Sequence, residues 1–197
     1  MVLDKLRGKA SFLTEGVASR LPNISPNVLT LLAFIISILF GVAFYLNYLI
    51  GSFFILIIAS YLDALDGAVA RIFGKASKRG DFLDHLLDRY SDIVIIAALS
   101  VSHFGNPYLG ILGISGTFMT SYVGTQSQAV GLKRIYGGFP GRADRLVIIL
   151  AGIILQAVLY DFKFLGLYVT SWILIILGVA GLINSVYRAV LSYRSIG

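Results

Sequence analysis

Six apolar runs follow one another along this chain of 197 residues, and each is close to the roughly 20 residues that an α-helix needs to cross a bilayer. They cover about 27–47, 50–73, 82–104, 107–130, 145–161 and 165–190. Turn-forming or charged segments separate them: Asn47 with Gly51, Lys75 to Arg79, Gly105-Asn106-Pro107, Lys133 to Arg145, and Asp161 to Lys163. No water-soluble core needs this much apolar surface, and a mean hydropathy of +0.86 with 13% charged residues agrees. The expected fold is an all-α integral membrane protein with six transmembrane helices. With no cysteine in the chain, a metal would have to be held by oxygen or by the two histidines.

Basic residues set the expected orientation, because cytoplasmic loops hold the positive excess. With both termini cytoplasmic, fifteen of the sixteen Lys and Arg residues fall on that side and only Lys163 falls outside. Tyr45, Tyr48, Tyr108, Tyr160, Phe162 and Tyr168 then gather near the outer boundary, where amphipathic rings settle. The same rule, with attraction to anionic headgroups, accounts for the net charge of +6. No nucleic-acid module, internal repeat or low-complexity tract is found, so nucleic acid is not an expected partner.

Lys5, Arg7, Lys9, Glu15 and Arg20 interrupt the first twenty residues, so a cleavable signal peptide is not expected. Leu3, Leu6, Leu13 and Val17 recur near helical spacing between these charges, which reads as an amphipathic interfacial helix over residues 1–22 rather than a disordered basic tail. Residues 23–197 form a single transmembrane domain in this reading.

Six of the ten acidic residues lie between Asp63 and Asp92, inside or at the ends of two apolar runs. Carboxylates at membrane depth are costly and mark function by default. Asp63 and Asp66 are spaced i, i+3 on the second helix, and Asp84 and Asp88 are i, i+4 on the third, so each pair projects from one face. Four like charges converging in a low dielectric need a compensating cation. Oxygen ligands favour a hard ion, magnesium or else manganese or calcium, and four carboxylates exceed what one magnesium usually takes, so two ions are expected. The cluster is expected in the cytoplasmic leaflet, where a substrate keeps tails in lipid and a phosphorylated head in water. Two rival readings are bundle-stabilising ion pairs with Arg71 or Arg89, and an ion transporter that uses the aspartates as its pathway.

Asp63, Asp66, Gly67, Ala70, Arg71, Gly80, Asp84 and Asp88, at these spacings, fill every fixed position of a signature that resembles that of the CDP-alcohol phosphotransferase family. Pro26-Asn27-Val28-Leu29-Thr30 is similar to the family's opening of the first span, and length and span number match, so the resemblance covers most of the chain. It implies a multi-pass enzyme of phospholipid biosynthesis in the cell membrane, with its active site facing the cytoplasm. Such a transferase moves a phosphatidyl-type group, diacylglycerol or archaeol phosphate, from a CDP-activated lipid to an alcohol and releases CMP. By the resemblance, Asp63, Asp66 and Asp84 bind metal, and Asp88 both binds metal and acts as general base. Asn27, Val28, Leu29, Thr30, Gly67, Arg71 and Ser77 would bind the CDP-lipid. The chemistry suits them: Gly67 admits a close backbone approach and Arg71 is a fixed cation for a diphosphate. A homodimer is also implied.

The acceptor is read from the basic segment before the fifth span. Lys133, Arg134, Arg142 and Arg145, with Gly-Gly-Phe-Pro-Gly between them, could cradle a phosphate, which favours a phosphorylated alcohol. Gly141-Arg142-Ala143-Asp144-Arg145-Leu146 is similar to a segment of phosphatidylinositol-phosphate synthases whose arginines grip inositol phosphate. That match implies inositol 1-phosphate as acceptor, held by Lys133, Arg142 and Arg145, with Asp144 orienting an arginine. It leaves glycerol 3-phosphate as the alternative. Upstream, Ser121-Tyr122-Val123-Gly124-Thr125-Gln126 departs from the bacterial pattern and looks more like archaeal enzymes that use CDP-archaeol. Asp81 and Asp92 fall outside the signature and are expected behind the ligands or in solvent. His85, about 100° around the helix from Asp84, is not expected to be a ligand.

Overall fold

The computed structural model describes residues 14–132 and 138–196, so most of the expected interfacial helix, and Lys133 and Arg134, lie outside the described residues. Six long helices follow a short helical turn at 14–18: α1 Pro26–Tyr45, α2 Leu49–Ile72, α3 Lys78–Val101, α4 Pro107–Ala129, α5 Arg142–Val158 and α6 Val169–Ile196. No strand occurs among the described residues beyond one isolated bridge, Phe164 to Leu167. By length and composition α1, α2 and α6 are apolar enough to cross a membrane.

Helix ends follow capping chemistry more closely than hydropathy. α3 starts at Lys78, ahead of its apolar run, because the Ser77 hydroxyl accepts the Gly80 N–H at 3.0 Å and satisfies an otherwise orphaned donor of the first turn. α4 starts on Pro107, whose missing N–H costs nothing there, while Asn106 Oδ1 accepts from the Tyr108 and Leu109 amides at 3.0 and 3.3 Å. α5 starts at Arg142, where Asp144 Oδ2 accepts the Gly141 N–H at 2.8 Å.

The chain divides into two compact units. One holds the described residues up to Phe40 together with Phe54–Ser91; the other holds Gly41–Phe53 and the described residues from Asp92 onward. In the first, Ala18, Leu29, Leu65, Ala68 and Val69 form a buried cluster backed by Leu21, Ile24, Leu62 and Phe73. Lys75 ties the approach to α1 onto the end of α2, donating from Nζ to the carbonyls of Pro22 and Ile24 at 2.6 and 3.1 Å.

In the second unit, α4 and α5 both pack on α6. Gly116 meets Gly178 and Gly181 so closely that a Cβ at Gly181 would lie 2.6 Å from Gly116 backbone, and Thr120 Oγ1 donates across the seam to the Gly181 carbonyl at 2.7 Å. Between α5 and α6, fully buried Gln156 accepts from the Thr170 amide at 3.1 Å and donates to the Tyr160 carbonyl at 3.1 Å. A polar side chain at this depth is tolerated because both ends of its amide are satisfied.

Candidate metal centre and anion pocket

The i, i+3 and i, i+4 spacings place the carboxylates as helical geometry requires. Oxygen atoms of Asp63 and Asp66 on α2 and of Asp84 on α3 lie within 4.8 Å of one another. A second group, Asp84, His85 and Asp88, meets the same limit, so Asp84 belongs to both. Asp66 and Asp88 are each 5% exposed, and Asp63 and Asp84 are half-buried. Carboxylates this close and this buried repel one another unless a cation sits among them, and an oxygen-rich donor set fits a hard divalent ion.

Behind the first group, Thr30 Oγ1 donates to Asp66 Oδ2 at 2.6 Å, a short charge-assisted bond from α1 that fixes the carboxylate's orientation. Beside the carboxylates opens a cavity lined by Asn27 and Thr30 from α1, by Asp66, Gly67 and Arg71 from α2, and by Lys75, Ser77, Gly80, Asp81 and Asp84. A second cavity, lined by Thr14, Asp63, Asp66, Gly67, Arg71 and Asp84, adjoins it. Two glycines have visible reasons here. A Cβ at Gly67 would lie 3.2 Å from an Arg71 guanidinium nitrogen, and one at Gly80 would lie 3.2 Å from both Asn27 Oδ1 and Ser77 Oγ. Larger side chains would crowd the polar groups that face the cavity.

Of the residues expected to take the donor, Asn27, Thr30, Gly67, Arg71 and Ser77 share this cavity. Val28 and Leu29 do not line it: successive helical steps of about 100° turn Leu29 into the buried cluster and leave Val28 half exposed. Lys75 and Thr14 line the cavities without having been singled out from sequence, since neither belongs to a spaced motif. His85 differs from expectation. Its ring bends back towards the carboxylate face, with Nδ1 3.8 Å from Asp84 Oδ2 and Nε2 3.5 Å from Asp81 Oδ1.

The arginines of the basic segment lie in the second unit. Arg142 is half-buried in the first turn of α5. Arg145, 4% exposed, donates from Nη2 to Asp92 Oδ2 at 3.0 Å and from Nη1 to the Thr117 carbonyl at 3.3 Å. Asp144, expected to orient an arginine, caps α5 with one carboxylate oxygen.

Comparison with known proteins converges on one family. Residues 23–183 match the family model described as CDP-alcohol phosphatidyltransferase. The chain is 34% identical over 177 residues to archaetidylinositol phosphate synthase of Pyrococcus horikoshii, a match covering 87% of this chain and 92% of that protein. The crystal structure of Mycobacterium tuberculosis phosphatidylinositol phosphate synthase with CDP-DAG bound superposes with a TM-score of 0.76 at 27% identity, covering 91% of this chain and 93% of that one. The same enzyme in complex with manganese and citrate gives the same TM-score and identity. The chain therefore belongs to the CDP-alcohol phosphatidyltransferase family.

Proposed function

We propose that this transferase moves a phosphatidyl-type group, diacylglycerol or archaeol phosphate, from a CDP-activated lipid to inositol 1-phosphate and releases CMP. The observation that carries this reading is the convergence of Asp63, Asp66 and Asp84 beside a cavity that also presents Arg71, Lys75 and Asn27. Names of the relatives supply the acceptor class, and the arginines of α5 supply the means to hold its phosphate.

Asp63, Asp66, Asp84 and Asp88 would hold two magnesium ions, with manganese as a substitute. When bound, these ions supply charge neutralisation for the diphosphate and for the departing CMP oxygen. Arg71 and Lys75 take the diphosphate's remaining charge, and Asn27, Thr30 and Ser77 fix the nucleotide end by hydrogen bonds. Asp88 accepts the proton of the acceptor hydroxyl as that oxygen bonds to the β-phosphorus and the bond to the CMP oxygen breaks. Arg142 and Arg145, with Lys133, grip the acceptor's phosphate.

The membrane arrangement in this reading has all six helices crossing the bilayer, with both termini and the metal centre on the cytoplasmic side of the cell membrane. An interfacial helix over residues 1–22 precedes the transmembrane domain at 23–197. The functional assembly is a homodimer. The positive-inside distribution of Lys and Arg supports the orientation.

CMP release by purified protein tests the proposal. Release is expected only when a divalent ion, a CDP-lipid and inositol 1-phosphate are all present. Release with glycerol 3-phosphate in place of inositol 1-phosphate would reassign the acceptor. Metal-dependent ion flux in vesicles without CMP release would sink the enzyme reading altogether.

A further inference from the structure

We propose that Asp92 is a positioning residue that aims the Arg145 guanidinium at the acceptor's phosphate, a role that rests on the acceptor reading given above. Both side chains are buried, at 12% and 5% exposure, and their 3.0 Å contact is an ion pair withdrawn from water. Such a pair is costly to bury, and apolar packing of similar volume would hold the helices at least as well. Its presence in the fold therefore points to a use for the charge at Arg145. A long, flexible arginine can grip a phosphate in both oxygens only if its planar fork is held in one orientation. Two contacts from different helices do that: Asp92 Oδ2 on α3 fixes Nη2, and the Thr117 carbonyl on α4 fixes Nη1. The neighbouring carboxylate, Asp144, accepts the Gly141 amide at the start of α5, whereas the Asp92 carboxylate contacts the Arg145 guanidinium directly.

The test compares Asp92→Asn, Arg145→Ala and the double variant in steady-state CMP release, varying inositol 1-phosphate and CDP-lipid separately. Removing the charge that orients a ligand-binding group typically costs about tenfold or more in binding. Asp92→Asn should therefore raise the acceptor KM by about that factor with donor KM little changed. In the Arg145→Ala background the same substitution should add almost nothing, because there is no longer an arm to aim. An acceptor KM that Arg145→Ala leaves unchanged would remove the acceptor reading itself. A rise with Arg145→Ala but none with Asp92→Asn would overturn only the positioning role, and so would additive effects in the double variant. Where Asp92→Asn does not fold, Asp92→Glu keeps the charge but moves the carboxylate by one methylene, and a wild-type acceptor KM in that variant overturns the proposal.

Discussion

Thr30→Val removes one hydroxyl from the candidate metal centre, whose shorter contact is to Asp66 and whose longer one, at 3.1 Å, is to the Pro26 carbonyl within its own helix. Valine preserves the shape of threonine and deletes the hydroxyl that donates to Asp66 Oδ2 at 2.6 Å. Thr30 and Asp66 are each 5% exposed, so water cannot easily replace that donor. A hydrogen bond to a charged group is worth about 1.5–3 kcal/mol, and the short distance and burial place this one in the upper half of that range. At 1.4 kcal/mol per tenfold, a loss of about 2–3 kcal/mol corresponds to roughly 30- to 150-fold, close to the effect of losing a partner behind a metal ligand. The predicted readout is a rise of that order in the magnesium concentration giving half-maximal CMP release, with turnover largely restored at saturating magnesium. Thermal unfolding with and without magnesium gives the same quantity independently, because an ion bound only by the native state raises Tm with concentration. The design also separates two roles for Thr30, which lines the donor cavity as well as bracing Asp66. Half-saturation by magnesium unchanged from wild type, with a raised CDP-lipid KM instead, would refute the bracing argument.

Other perturbations address neighbouring links. Asp88→Asn should keep the fold by circular dichroism while CMP release falls about 10²- to 10⁴-fold, the usual contribution of a general base. Lys75→Met removes the bonds to the Pro22 and Ile24 carbonyls and a cation from the cavity, so CDP-lipid KM should rise while inositol 1-phosphate KM stays close to wild type in initial-rate measurements. Gly116→Ala drives a methyl into the Gly178 backbone and must part α4 from α6, which should cost about 1–3 kcal/mol, read as a lowered Tm in detergent.

Much of the centre was legible because helical periodicity is a strict rule applied to few charges. In an apolar chain, i, i+3 and i, i+4 carboxylates can only share a face, so Asp63, Asp66 and Asp84 could be brought together on paper before any coordinates. The same arithmetic did not place the His85 ring near Asp84, because an angular step of about 100° locates a Cα and not the end of a ring that can swing back. The family resemblance grouped Val28 and Leu29 with Asn27 and Thr30, where only the two residues one turn apart line the cavity. Lys75 and the Asp92–Arg145 pair were invisible for a different reason. Each joins positions far apart in sequence, 53 residues for both Lys75 with Pro22 and Arg145 with Asp92, and no local spacing announces such a partnership.

Polar residues are spread unevenly among the six helices. α1, α2 and α6 are long and apolar enough to cross a membrane by length and composition, while α5 is the shortest of the six at 17 residues. α3 carries Lys78, Arg79, Asp81, Asp84, Asp88, Arg89 and Asp92, and α5 opens with Arg142, Asp144 and Arg145. α4 has little charge, but its buried side is Gly, Ser and Thr, including the glycines that let α6 approach and the Thr117 carbonyl that receives Arg145. Their polar residues fall where carboxylates cluster, where an arginine is paired inside the fold and where a neighbour's backbone is admitted. Replacing Asp84 and Asp88 of α3 by leucine is predicted to make the helix more apolar and to abolish CMP release, because the carboxylates proposed to hold the metal would be gone.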